Sequence, residues 1–332
     1  MKRRARKVKE ASSDYGAALP APYFRTTAGA AYRGKAEELL PKLPAESVNL
    51  IFTSPPYALH FKKEYGNADQ NKYVEWFLGF AAEFKRVLKS DGSLVIDIGG
   101  SWQPGHPVRS LCHFEVLIGL VREHGFHLAQ EFYWFNPAKL PAPAEWVTVR
   151  RIRVKDAVEC LWWLAKTTNP KADNRKILAP YSEDMKRLLK RGYRAKTRPS
   201  GHHITHKFTE QNGSIPPNVL TLGNNDANGY YLKRCAEEKM KPHPARFPGQ
   251  LPEHFIKFLT DEGDMVLDPF AGSCTTGEVS ERLRRRWMAF ELSAEYLDGA
   301  KFRFERDAFE IPADSSGTST ILKPHQTDLA LT

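Results

Sequence analysis

A strand, a glycine-containing loop, a helix and a second strand follow one another between Met265 and Leu292, and no other run limits the fold as tightly. Met265–Leu267 is short and apolar, as a buried parallel strand requires. The loop reads Asp268-Pro269-Phe270-Ala271-Gly272-Ser273-Cys274-Thr275-Thr276-Gly277. Its glycines let the backbone approach a ligand closely, as in nucleotide-binding βα turns. Gly277–Leu283 is predicted helical and Trp287–Phe290 is predicted to be the next strand, ending at Glu291. In a doubly wound sheet an acid at that point reaches ribose hydroxyls. The spacing is not G-x-G-x-x-G, and there is no P-loop lysine.

The same alternation runs through the rest of the chain. Val48–Thr53 is a buried strand by its composition. Tyr73, Trp76, Phe77, Phe80, Phe84, Val87 and Leu88 recur at helical spacing, and Ser90-Asp91-Gly92 ends that pattern before the strand Leu94–Ile98. Leu111, Phe114, Leu117, Ile118 and Val121 predict another helix, closed by Gly125. Leu128–Phe135 follows as a strand, and Pro252–Leu259 reads as a later helix. The expected fold is therefore α/β: a doubly wound, mostly parallel sheet, interrupted by an inserted basic module.

That module is visible as charge. Residues 137–215 carry 17 Lys and Arg against 7 Asp and Glu, an excess equal to the net +10 of the whole chain. A concentrated positive segment is the footprint of a polyanion partner. The four cysteines, Cys112, Cys160, Cys235 and Cys274, form no C-x-x-C pair, which argues against structural zinc and suits a reducing cytoplasm. No metal is expected. His202, His203 and His206 have no cysteine or carboxylate ligand at suitable spacing and are expected to touch DNA or cap a loop. No apolar run approaches the roughly 18–20 residues of a membrane span, and basic Met1–Glu10 has no apolar stretch behind it, unlike a secretory signal.

The second chemical motif is Thr53-Ser54-Pro55-Pro56-Tyr57, directly after the strand 48–53. Two prolines fix φ twice and remove two N–H donors, leaving a stiff loop with free carbonyl acceptors. An exocyclic amine is a poor nucleophile because its lone pair is delocalised into the ring. Acceptors at Ser54 Oγ and the Pro55 carbonyl would orient its N–H bonds, and Tyr57 would stack on the base. Asp97 interrupts an apolar strand, where a carboxylate is costly unless something uses it. Glu145 and Trp146, after a proline-rich turn, are candidate substrate-side residues. Trp162 and Trp163 are expected in the core.

S-P-P-Y after an apolar strand, with D-P-F-x-G-S-x-T-T-G later in the chain, resembles the S-adenosylmethionine-dependent amino-methyltransferases of restriction–modification systems. Having the catalytic motif first and a basic segment between the two resembles the beta group of that family. The likeness spans Tyr32 to Phe304 and implies a Rossmann-like methyltransferase sheet, methyl transfer to cytosine N4 in double-stranded DNA after base flipping, and no metal. It assigns Ser54, Pro55, Pro56, Tyr57 and Asp97 to catalysis. It assigns His243, Pro244, Phe247, Asp268, Pro269, Phe270, Gly272, Ser273, Thr275, Thr276 and Glu291 to the cofactor. Residues 26–136 become the catalytic half, 137–215 the target-recognition region and 216–311 the cofactor half. A basic arm (1–25) and a tail (312–332) flank them. The stretches FYWFNPAKLPAPAEW, RIRVKDAVECLWWLAKT, KTRPSGH, SIPPN and HPARFP resemble a member that modifies CAGCTG. A monomer is expected, nucleoid-associated in a prokaryotic cytoplasm, with a restriction endonuclease as genetic partner. N6-adenine methylation, RNA or protein methylation, and a non-catalytic DNA-binding scaffold stay open as alternatives. A cytosine-C5 enzyme is excluded, because no cysteine here follows a proline. In one respect the chain departs from its relatives. Where they carry Gly-Asp-Ser, with the acid near the cofactor adenine, this chain reads Gly34-Lys35-Ala36, and Lys35 cannot accept a hydrogen bond.

Overall fold

Strands that are apolar on both faces need cover on both sides, and here two helical layers supply it. The computed structural model describes residues 18–57, 72–191, 196–197, 203–204, 212–224 and 229–305. Among these the strands are β1 (Phe24–Arg25), β2 (Gly29–Arg33), β3 (Val48–Thr53), β4 (Leu88–Ile98), β5 (His127–Phe135), β6 (Val158–Ala165), β7 (Lys196–Thr197), β8 (His203–Ile204), β9 (Val219–Thr221), β10 (Met265–Asp268) and β11 (Arg286–Glu291). The helices are α1 (Ala36–Leu39), α2 (Tyr73–Leu78), α3 (Ala81–Val87), α4 (Cys112–Arg122), α5 (Glu183–Arg191), α6 (Tyr230–Glu237), α7 (Gln250–Leu259), α8 (Thr275–Arg282) and α9 (Ala294–Lys301).

Nine strands form one sheet in the order β1-β2-β11-β10-β3-β4-β6-β5-β9; β7 and β8 pair separately. The run from β2 to β4 is parallel throughout. Side chains alternate across it with the period of two that a strand imposes. Leu50, Phe52, Val95, Leu161, Trp163 and Val266 join one core with Leu251, Phe255 and Ile256 of α7. Ile51, Leu94, Ile96, Trp162, Leu164 and Leu267 join the other, with α2, α3 and α4. Each fully buried aromatic or aliphatic side chain contributes roughly 1.5–3 kcal/mol. The fold class read from the sequence is the one observed.

Two local readings change. The helix expected from Tyr73 to Leu88 is two, α2 and α3, divided at Gly79 and Phe80. The helix expected around Leu111–Val121 is present as α4, with Leu117 and Val121 half-buried against the core. Cys112, His113, Val116, Gly119 and Leu120 are buried, whereas Leu111, Phe114 and Ile118 are exposed. That helix carries two apolar stripes, and α2 packs against the one with the smaller residues; a Cβ on Gly119 would collide with Leu78 at 2.5 Å. The basic segment is also no freestanding insertion, since β6 lies within it and pairs antiparallel with both β4 and β5. Trp162 and Trp163 are buried there, as expected.

The strand order reverses between β10 and β3. In open α/β sheets ligands bind in the crevice at such a switch point, beyond the carboxyl ends of the strands. Ser54 follows the last residue of β3 and Pro269 follows the last residue of β10. The two sequence motifs, distant along the chain, therefore emerge side by side.

Candidate active site

A cleft of about 730 Å³ opens at this point. Its walls include all of Ser54, Pro55, Pro56, Tyr57 and Asp97, together with His243, Pro244, Phe247, Pro269, Phe270, Gly272, Ser273, Thr275 and Glu291. Two residues assigned to the cofactor, Asp268 and Thr276, do not line it. Asp268 is buried and turned inward. It accepts from Thr53 Oγ1 at 2.8 Å, Thr276 Oγ1 at 2.7 Å and the Phe270 N–H at 3.1 Å. This carboxylate ties the end of β3 to the glycine loop and to α8. Burial outweighs the three hydrogen bonds and pushes its pKa up to about 6.

The glycine loop is shaped for close approach. Gly272 has φ +52°, and a Cβ there would sit 3.0 Å from the His243 ring. The Gly272 N–H donates to Glu291 Oε2 at 2.9 Å, and the Ser293 N–H donates to Oε1 at 2.8 Å. Burial raises the Glu291 pKa against these donors. His243 is fixed by its own N–H, which donates to Tyr231 Oη at 3.0 Å, and by edge contact with Tyr296. Lys35 also lines the cleft, with its side chain 60% exposed and its Nζ 3.8 Å from Glu38. Glu37 lines the cleft in that stretch, accepting from Trp76 Nε1 at 3.1 Å.

Around Ser54 the site is acidic, with Asp97 and Glu159 in the cleft wall. Asp97 is buried, and its Oδ1 has no hydrogen-bond partner among the described residues. Burial raises its pKa well above the carboxylate range, and Glu159 adds to this; Lys139 and a hydrogen bond with Ser54 oppose it. Tyr57 donates its hydroxyl proton to Glu159 Oε2, and Lys139 Nζ lies 2.8 Å from Glu159 Oε1. A Cβ on Gly99 would come within 2.9 Å of the Tyr57 ring, so only glycine leaves that ring its space.

A match to the family model described as DNA methylase covers residues 48–302. The chain belongs to the DNA methylase family. The methylase is 52% identical over 287 residues to the Type II methyltransferase M.PvuII of Proteus hauseri, with 85% of each chain covered. A solved structure, PvuII DNA methyltransferase (cytosine-N4-specific), superimposes at a TM-score of 0.72 and 46% identity, covering 86% of this chain and 90% of that one. The DNA adenine methyltransferase YhdJ of Escherichia coli (strain K12) is 26% identical over 280 residues, 82% of each chain.

Sequence reading missed Glu159 and Lys139, which the methylase places in the cleft wall. Glu159 had a signal available, an acid inside the apolar run Val158–Ala165, the same feature that singled out Asp97. Lys139 had none, because one lysine in a basic, proline-rich stretch is unremarkable. Trp76, Asn136 and Arg246 also line the cleft, whereas Glu145 and Trp146 do not. His203 lies in β8, and His202 and His206 are outside the described residues. The cysteines are free, and Cys112, Cys235 and Cys274 are buried. No described helix is long and apolar enough to cross a membrane.

Proposed function

We propose that the methylase transfers a methyl group from S-adenosylmethionine to N4 of a cytosine in duplex DNA. The observation that carries this reading is the unpartnered, buried Asp97 Oδ1 in one cleft with Ser54 and Tyr57. A vacant acceptor in such a place suits an amine that must be held and then lose a proton. Cytosine rather than adenine is supported by the S-P-P-Y sequence and by similarity to the enzyme named cytosine-N4-specific.

The cleft residues fit the cofactor. The left-handed Gly272, the aromatic Phe270 and Phe247, and Glu291 would hold it, with His243 and Pro244 at its methionine end. It supplies an electrophilic methyl group on a sulfonium. The protein's own work is positioning. Ser54 Oγ and the Pro55 carbonyl accept from the amine, Tyr57 stacks on the flipped ring, and Asp97 takes the proton the nitrogen loses. Proximity supplies much of the acceleration. The division into a catalytic half (26–136), a recognition region (137–215) and a cofactor half (216–311) belongs to the same proposal. So do a monomeric enzyme, a cytoplasmic location at the nucleoid, a partner endonuclease and the target CAGCTG. That target rests on the resemblance of FYWFNPAKLPAPAEW and the other stretches quoted above. In the basic region Lys and Arg would contact phosphates, so duplex affinity falls as salt rises.

Plasmid treated with the methylase is expected to resist a CAGCTG-cleaving nuclease and to yield N4-methylcytosine on mass spectrometry of its nucleosides. Full cleavage would reject the sequence assignment; N6-methyladenine would overturn the base. Replacing Glu291 by alanine removes a half-buried acceptor from the cleft wall, so binding of S-adenosylhomocysteine should weaken roughly 10-fold to 100-fold, on the scale of a charged hydrogen bond. Calorimetry measures it, and wild-type affinity would move the pocket elsewhere.

A further inference from the structure

We infer that Leu140 is the side chain that enters the base stack when the target nucleotide leaves it. The inference rests on the proposed reaction at a base in duplex DNA. Such a base must swing out, leaving a gap between its neighbours. Apolar side chains that insert between base steps hold duplexes in this kind of distorted state.

Leu140 sits where such a wedge is needed. Its chain neighbour Lys139 lines the cleft and reaches Glu159. Leu140 itself is not in the cleft wall and is 79% exposed, in a loop that hydrogen bonds hold in place. The Lys139 N–H donates to the Asn136 carbonyl at 3.2 Å, and the Ala138 N–H donates to Asn136 Oδ1 at 3.1 Å. Lys155 Nζ donates to the carbonyls of Pro137 and Lys139 at 3.0 and 3.3 Å. Pro137 and Pro141 restrict φ on either side. A wedge must be stiff, or its ordering on DNA cancels the contact it gains. Arg150, Arg151 and Arg153 lie on the same segment and give it the charge to approach a phosphate backbone.

The test uses single-turnover methylation of duplex oligonucleotides that carry the modified sequence. In one the target cytosine faces guanine; in the other it faces an abasic site and needs no help to leave the stack. Leu140→Ala is expected to slow methylation of the paired duplex about 10-fold. On the abasic duplex it should stay within about twofold of wild type. Val149→Ala, also exposed on this segment but with no cleft-lining neighbour in sequence, should match wild type on both. An equal loss on the two duplexes, or no loss on the paired one, overturns the wedge. The wild-type rate on the paired duplex tests the proposed reaction separately. S-adenosylhomocysteine affinity of Leu140→Ala, expected unchanged, shows that the fold is intact.

Discussion

Replacing Asp97 by alanine should slow single-turnover methyl transfer by about 100-fold or more, the scale of a positioned acid–base group. Binding of DNA and of S-adenosylhomocysteine should be largely kept. The reason is geometric. Ser54 and the Pro55 carbonyl can hold an amine, but neither takes up a proton readily, whereas Asp97 can. Its pKa also fixes the direction of the pH dependence. Burial first, and Glu159 second, raise that pKa. The carboxylate is the useful acceptor, so transfer should rise with pH as Asp97 ionises, at a pH above that of an ordinary aspartate. Asp97→Asn should flatten this rise. A variant with the wild-type rate and the wild-type pH profile would remove Asp97 from the chemistry.

Asp268→Ala should act differently, on the fold first and on the cofactor second. Three donors converge on this carboxylate in a buried site. Removing their acceptor should cost roughly 3 kcal/mol, as for buried donors left unpaired. Denaturant unfolding would read this loss, and cofactor affinity should fall with it, because the loop beginning at Pro269 loses its anchor. Asp268→Asn separates charge from shape. The folded-state pKa of about 6 lies above the unfolded value. A raised carboxyl favours folding at low pH, and that contribution is lost as pH rises through about 6. The stability of Asp268→Asn relative to wild type should therefore improve between about pH 4 and pH 6. A difference independent of pH would show that the carboxyl is not perturbed.

Asp268 also marks the limit of what the sequence discloses about the site. The motif places it at the head of the glycine loop, but residue type and spacing do not say which way a side chain turns. Acceptors already used inside the protein look the same on paper as acceptors offered to a ligand. Thr276, buried with its hydroxyl donating to Asp268, is the same case. Legibility was better where the backbone alone dictates the outcome. The apolar runs 48–53 and 265–267 could only be central strands, and the Pro55-Pro56 loop could only be stiff. Glu159 went unread because its strand was absorbed into a segment judged by net charge, and an average over 137–215 hides a single buried acid. Helix α4 shows a further limit. With apolar residues on two stripes, periodicity finds the helix but leaves its buried side to the neighbour that packs on it.

The antiparallel partnership of β5 and β6 has a consequence beyond the sheet. Phe135 pairs with Val158, and the Asn136 N–H donates to the Ala157 carbonyl at 2.8 Å. Residues 136–157 thus leave and re-enter the scaffold at one point, as the loop of a very long hairpin. Closing such a loop depends only weakly on its length, about 0.6 kcal/mol for each doubling. Changes of length and sequence between Pro141 and Lys155 are therefore expected to leave both anchoring strands in register. On the proposed assignment of this stretch to target recognition, the address at which a methyl group is delivered is free to change while the cleft that delivers it is kept.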